Sequence, residues 1–180
     1  MALPKHVKFD DCVYWIHNDA GYFAKLPEGY VQAGQILGSG NADEPDKLEN
    51  GYSSFGDVGA KIYANPDNPY SIFLYEGQQQ QFELYVSQEL WEEYVMVNGT
   101  LYTNTNGVSN EFSEQPWKDG ECTYAGDIVA CISYEIPTKD FQTNIQNAKD
   151  VYVSEDENTV YVVCGQGESM TYVKLEEGGK

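Results

Sequence analysis

The side chains best suited to chemistry in this sequence are four cysteines and two histidines. The cysteines are Cys12, Cys122, Cys131 and Cys164, separated by 110, 9 and 33 residues. A structural zinc site usually takes its ligands from closely spaced pairs, and the sequence contains no such pair. We therefore predict no metal site. We expect the cysteines to be small buried side chains, with a disulfide among Cys122, Cys131 and Cys164 as the alternative.

Covalent catalysis would need a Ser or Cys nucleophile beside a His base. His17 lies in the strand-like run VYWIH, where packing or surface exposure is expected, and His6 lies in what we expect to be a loose terminus. Paired carboxylates can hydrolyse glycosides, but with 29 Asp and Glu some pair always has suitable spacing. The motifs GxGxxG, GxxxxGK[ST], HExxH and GxSxG are absent. The sequence predicts no enzyme, no catalytic residues and no cofactor.

The charge of the chain excludes two classes of ligand. Its 29 acidic residues face ten lysines and no arginine, which gives a net charge of −19. Nucleic acids and anionic membranes both attract cationic side chains, so we expect neither to bind directly. No apolar run approaches the roughly 18 residues of a membrane span. The same charge suggests an alternative function, an acidic mimic of nucleic acid that inhibits a DNA-binding enzyme.

Two further kinds of site are weaker. The acidic turns 43–46 and 154–157 carry oxygen ligands that calcium prefers, but neither has the spacing of an EF-hand loop, so we interpret them as solvated turns. Trp15, Trp91 and Trp117 could stack on sugar rings, which makes a carbohydrate-binding module another alternative. The internal repeat described next matches Trp91 and Trp117 with ordinary apolar residues, and this favours packing.

The elements that must position these side chains form an internal repeat. Residues 26–36 align with 117–128, and residues 61–74 align with 150–163. Gly34 corresponds to Gly126 at a spacing of 92. Residues 9–23 align with residues 91–103, and this alignment matches Phe9 with Trp91. We therefore predict two copies, in domains 1–88 and 89–180.

Within each copy the apolar residues alternate with a period of two, which is typical of strands. In QFELYV (81–86), for example, Phe82, Leu84 and Val86 share one face. Asn98-Gly99 supplies the positive φ angles of a tight hairpin turn. The sequence thus predicts an all-β protein of two tandem antiparallel units, SH3-like or OB-like barrels, with a short helix possible at the junction over 87–96.

Several short motifs are distributed over the two copies. The second copy carries them at Asn98-Gly99, Gly120, Gly126, Pro137, Thr138, Asp140 and Phe141, and the first copy at 27–30, Gly34 and 61–65. This pattern resembles a module of uncharacterised secreted or lipoprotein-type repeat proteins of Gram-positive gut bacteria. The first copy departs from it at NADEPDKLENGYSSFGD (41–57). The resemblance implies an extracellular or envelope-associated protein with a removed leader, and implies no activity. If Met1 is the native start, a cytoplasmic protein is expected instead.

The longer loop of the first copy, from Ser39 to Gly59, is a candidate binding surface. It carries Tyr52, Phe55 and Asp57 among Gly and Ser, and binding residues are common on loops that a rigid sheet positions. An ordinary variable loop is the alternative. The sequence as a whole predicts a non-enzymatic, exported binding protein whose partner is an unknown protein or glycan.

Overall fold

The structure is a computed structural model that describes residues 3–77, 80–104, 120–166 and 169–177. Within these ranges the regular structure consists of seventeen strands and three short 3₁₀ helices. The chain divides into two compact units, unit 1 (Met1–Trp91) and unit 2 (Glu92–Lys180), so the boundary falls three residues beyond the predicted one. The predicted all-β class with two tandem units is confirmed.

In unit 1 the described residues form one curled sheet of nine strands. Along it the order is β4-β7-β8-β9-β2-β1-β6-β5, and β3 pairs with β9. The β5–β6 pair is parallel and the other pairs are antiparallel. The strands are β1 His6–Phe9, β2 Cys12–Ile16, β3 Tyr22–Phe23, β4 Val31–Gln35, β5 Gly38–Ser39, β6 Tyr52–Ser53, β7 Lys61–Asn65, β8 Asn68–Glu76 and β9 Gln81–Val86. The 3₁₀ helices are Asn18–Ala20, Pro45–Lys47 and Gln88–Trp91, the last of them at the predicted junction.

Unit 2 forms a second curled sheet, of eight strands in its described part. Their order along the sheet is β12-β15-β16-β17-β11-β10-β14-β13, and β13–β14 is the parallel pair. The strands are β10 Glu93–Val97, β11 Thr100–Asn104, β12 Cys122–Asp127, β13 Ala130–Cys131, β14 Gln142–Thr143, β15 Ala148–Ser154, β16 Thr159–Gln166 and β17 Ser169–Glu177.

The two sheets repeat the same strand order, position for position. β12 takes the place of β4, and β15 to β17 take the places of β7 to β9. The parallel pair, β5–β6 or β13–β14, comes last in the strand order of each sheet. A bulge interrupts both edge pairings, between Gln32 and Gly34 in unit 1 and between Tyr124 and Gly126 in unit 2. The duplication predicted from weak residue similarity therefore extends to the hydrogen-bonding pattern.

The first hairpin of each unit corrects the predicted alignment. Asp10-Asp11 turns the chain between β1 and β2 with φ angles of 50° and 62°, and Asn98-Gly99 does so between β10 and β11 with 51° and 75°. Phe9 therefore corresponds to Val97, and the expected match of Phe9 with Trp91 is wrong by six residues. Asp tolerates a left-handed backbone, so an Asp-Asp pair can replace the more recognisable Asn-Gly.

The inner face of each sheet carries its hydrophobic core. In unit 1 this is a cluster of Val7, Tyr14, Ile36, Ile62, Ile72, Leu74 and Tyr85. In unit 2 it is Val95, Val97, Tyr102, Ile145, Val151, Val153, Val160, Val162, Cys164, Val173 and Leu175. We call the opposite side of each sheet its outer face. In β9 the outer-facing Leu84 and Val86 are as fully buried as Tyr85, so the sheet of unit 1 is covered on both sides there.

A buried tyrosine ties each core to a hairpin. Tyr14 in β2 and Tyr102 in β11 are each 4% exposed. The Tyr14 hydroxyl donates to the carbonyl of Pro69 at 2.8 Å, and the Tyr102 hydroxyl donates to that of Glu157 at 2.7 Å. Both bonds span 55 residues of sequence, so each fixes the end of the β7–β8 or β15–β16 hairpin against the first hairpin of its unit.

Replacing Tyr102 with Phe is expected to lower the free energy of unfolding by about 0.5–1.5 kcal/mol, because the carbonyl of Glu157 loses a hydrogen bond while packing is retained. Tyr14→Phe should have a similar effect through Pro69. Urea denaturation followed by circular dichroism would measure both. Tyr22→Phe, at a side chain that is half exposed, serves as the control. Unchanged stability in both core variants would contradict this role.

No helix among the described residues combines the length and apolar character that crossing a membrane requires.

Candidate functional site

The three residues predicted to bind a partner lie in β6 and the loop that follows it. Tyr52 is half-buried against Gly38, where an added Cβ would lie 2.5 Å from the ring. Phe55 packs on the core and its ring stacks on that of Tyr85, with 5.8 Å between centroids. Asp57 alone of the three is exposed. The two rings thus make separate packing contacts, and partner binding by these residues stays a prediction.

All four cysteines are free thiols in the structure. The disulfide expected as an alternative among Cys122, Cys131 and Cys164 is therefore not formed. Cys122 and Cys164 are buried as expected, Cys12 is half-buried, and Cys131 is exposed contrary to expectation. Burial raises the pKa of Cys122, and it raises the pKa of Cys164 to about 12. Both buried thiols are therefore protonated and unreactive at neutral pH.

We expect the thiols to react with iodoacetamide in the order of their exposure. Cys131 should be alkylated first, while Cys164 should be modified only when unit 2 unfolds, because the thiolate is the reactive form. Mass spectrometry of tryptic peptides after timed alkylation would measure each site. Labelling in denaturant provides the control for intrinsic reactivity. Equal rates at Cys131 and Cys164 in the folded protein would contradict this order.

The histidine and tryptophan side chains of unit 1 form a packed group. His6 is fully buried in β1, so the expectation of a loose terminus there is wrong. Its ring lies 4.6 Å from that of Trp15, which in turn lies 5.5 Å from Trp91. Trp91 remains 51% exposed, and Trp117 falls outside the described residues. His17 is half-buried at the end of β2.

In each acidic turn one carboxylate makes local contacts. Asp156 accepts hydrogen bonds from the Ser154 hydroxyl at 2.6 Å and from the backbone and side-chain amides of Asn158. These bonds lower the pKa of Asp156 and keep it ionised. In the other turn Glu44 pairs with Lys47. Across the described ranges, no three His, Cys, Asp or Glu side chains come together as metal ligands.

A cleft of about 500 Å³ opens on the outer face of unit 2, between the start of β12 and the β15–β16 turn. The strand pairing explains why these residues meet, since Cys122 pairs with Ser154 and Tyr161 pairs with Lys174. Its volume lies in the range of small-ligand sites. The cleft is lined by Gly120, Glu121, Cys122, Ser154, Glu155, Asp156, Thr159, Tyr161 and Lys174.

Two tyrosines lie on the same outer face, beside the cleft. Tyr124 follows Cys122 by two residues in β12 and is 56% exposed. Its ring lies 5.6 Å from that of its strand partner Tyr152 in an edge-on arrangement. The Tyr124 hydroxyl donates to Asp127 at 2.5 Å, and this bond raises the pKa of Tyr124 to about 12. Tyr124 is therefore a neutral phenol that presents aromatic surface to solvent.

Sequence reasoning missed this site because it treated Cys122 as one more small core residue. The repeat held a usable signal, since Cys122 at the start of β12 corresponds to Tyr30, which directly precedes β4 in the first copy. A large buried side chain replaced by a small one at an equivalent position indicates vacated space.

Comparison of the chain with protein-family models, with curated proteins and with solved structures found no match.

Proposed function

We propose that the protein is a non-enzymatic binding protein whose partner, a protein or a glycan, contacts the outer face of unit 2. The observation that carries this proposal is the contact of the exposed Tyr124 with the half-buried Tyr152 beside a cleft of about 500 Å³. Tyrosine offers a large apolar area with few rotatable bonds, so its burial by a partner gives affinity at low entropic cost.

Exposed large apolar side chains on a soluble protein mark interaction sites when they are grouped. Tyr124 is grouped in this sense, because Tyr152 and the cleft adjoin it. Val129, whose side chain is 70% exposed, follows the end of β12 by two residues. A glycan would stack its sugar rings on the two tyrosines, and a protein would bury them as the centre of an interface.

The proposed compartment is the cell envelope or the extracellular space. It is supported by the resemblance of the repeat to secreted and lipoprotein-type modules, and by the net charge of −19, which keeps an exported protein dispersed. Mass spectrometry of the native protein would test this directly, since a processed or lipid-modified N-terminus is expected.

Binding should depend on the outer-face tyrosines and not on other exposed apolar residues. We would probe glycan and protein arrays with the wild type, Tyr124→Ala and Tyr152→Ala, and with Leu37→Ala as the matched control. Leu37 is 58% exposed but lies in unit 1. The tyrosine variants are expected to lose about fivefold or more in affinity for any partner found. Partners bound equally by all four proteins would contradict the proposal.

A second candidate function, an acidic mimic of nucleic acid, is favoured by one observation. The chain has 29 acidic residues and only ten lysines, so most of the acidic side chains lack a lysine to pair with, and two of the lysines, Lys47 and Lys174, pair with Glu44 and Glu176. Such a mimic would bind basic DNA-processing enzymes with a steep loss of affinity as salt rises, whereas contact through tyrosines would change little. No binding to such enzymes at low salt would eliminate it.

A further inference from the structure

The outer face of unit 1 shows what fills the space that is open in unit 2. Tyr30, which precedes β4, is 7% exposed, and its ring meets the buried Phe73 edge-on with 4.8 Å between centroids. The Tyr30 hydroxyl lies 2.5 Å from the Ser71 hydroxyl and accepts a hydrogen bond from the Asn68 side chain at 2.7 Å. A phenol ring is thus held by an aromatic side wall and two polar groups.

Three residues that contact the Tyr30 side chain have counterparts in the cleft. The matching bulges at Gly34 and Gly126 fix a spacing of 92, which places Cys122 at the position of Tyr30. The matching tyrosine bonds to Pro69 and Glu157 fix a spacing of 88 in the next hairpin. At that spacing Asn68 corresponds to Asp156. Ser71 corresponds to Thr159, and Phe73 corresponds to Tyr161.

The turn geometry supports the match of Asp156 with Asn68. Each side chain accepts a hydrogen bond from the backbone amide two residues later, that of Tyr70 in unit 1 and that of Asn158 in unit 2. The predicted alignment of residues 61–74 with 150–163 places Asp67 opposite Asp156, and the turn geometry displaces this match by one residue. All four counterparts line the cleft, so the cleft is the Tyr30 site with the phenol ring removed.

The polar groups of the cleft differ from those around Tyr30 in one chemical respect. Asn68 donates to the phenol oxygen, whereas the ionised Asp156 can only accept, so an occupant must donate a proton there. Glu121 and Glu155 add negative charge at the rim, and Lys174 is already paired with Glu176 at 3.1 Å. This field favours a ligand with a positive charge.

We propose that the cleft of unit 2 binds a phenol ring carried by a cationic ligand, with the ring beside Tyr161 and its hydroxyl between Asp156 and Thr159. This inference deepens the proposed function, on which it rests, by naming the chemistry of a ligand for the same face. Two sources share this chemistry, a free phenolic amine and a tyrosine beside a lysine in a peptide.

The test uses the full chain and defined probes in isothermal titration and ligand-observed NMR. Tyramine should bind saturably, and phenethylamine, which lacks the hydroxyl, should bind about 2–10-fold more weakly, as the loss of one hydrogen bond implies. Tyrosol, which lacks the charge, should also be weaker. The amidated peptide acetyl-Lys-Tyr-Lys distinguishes the sources, since it binds more tightly than tyramine only if a peptide is the ligand.

Cys122→Tyr should rebuild the arrangement of unit 1 and close the cleft, with at least a tenfold loss of tyramine affinity. Cys122→Ser is the matched control and should retain binding. Thr159→Val removes a hydroxyl at nearly constant volume, and it should reduce the preference for tyramine over phenethylamine even if Cys122→Tyr fails to fold, because only the hydrogen bond to Asp156 remains. Circular dichroism would establish that each variant is folded.

Absence of saturable tyramine binding to the wild type would overturn the inference. So would unchanged affinity in a folded Cys122→Tyr, or an unchanged preference in Thr159→Val. These failures differ from a failure of the proposed function, because a partner lost with Tyr124→Ala but not with Cys122→Tyr would leave the binding face in place and remove only the assigned ligand.

Discussion

Replacing Phe73 with Ala is expected to destabilise unit 1 by about 3–5 kcal/mol, the cost of removing a fully buried phenylalanine. The Phe73 side chain is 0% exposed although it lies on the outer face of its sheet. It is covered there by Phe23 at 5.1 Å and Tyr30 at 4.8 Å, both edge-on. Loss of the Phe73 ring would leave a cavity between β8, β3 and the segment before β4, and no single side chain can refill it.

The matched control is Tyr161→Ala in unit 2, at the equivalent position. Tyr161 is half-buried and borders the open cleft, so its removal enlarges a solvated space and should cost about 2 kcal/mol or less. Urea denaturation would give the two free energies, and hydrogen exchange of the β7–β9 and β15–β17 amides would assign each loss to its unit. Equal costs at the two positions would show that the cleft is not the structural difference between the copies.

Much of the fold could be predicted from the sequence because strand alternation and turn residues are local signals. QFELYV, for example, coincides with β9, and Asn98-Gly99 forms the predicted turn. The first hairpin of unit 1 was misaligned because Asp10-Asp11 makes the same turn without glycine. Alternation favours the face of Phe82, Leu84 and Val86 as the buried one, yet Tyr85 on the opposite face belongs to the core cluster of unit 1. Burial on both faces of a strand is what alternation within that strand cannot reveal.

The candidate site was less accessible to sequence reasoning. Tyr52 and Phe55 were selected because aromatic residues in a long loop often contact partners, yet the Phe55 ring packs on Tyr85. The cleft depends on which side chain is missing at a position, and this becomes visible only when the two copies are superimposed strand by strand. The role of Cys122 therefore follows from comparison with Tyr30 at the equivalent position, and the residues next to Cys122 in the sequence do not indicate it.

In both units an aromatic ring packs against the glycine of the edge bulge. A Cβ added to Gly34 would lie 3.1 Å from the Phe9 ring, and a Cβ added to Gly126 would lie 2.9 Å from the Phe141 ring. The two rings come from different places in the repeat, since Phe9 ends β1 whereas Phe141 precedes β14, and Val97 occupies the position of Phe9 in unit 2. Phe141 in turn occupies the position of Gly51, and both have positive φ angles, 61° and 83°. Different side chains thus fill the same space.

Gly126→Val should therefore destabilise unit 2 by about 1–3 kcal/mol, because the added methyl groups meet the Phe141 ring in a space already filled. Phe141→Ala alone should also destabilise, since the ring packs on the core cluster of unit 2. The double variant should be more stable than the sum of the two effects predicts, because removing the ring makes room for the valine. Thermal and urea denaturation of the four proteins would measure this coupling. Additive effects would show that the ring and the glycine are not in contact, and that the bulge is held by its backbone alone.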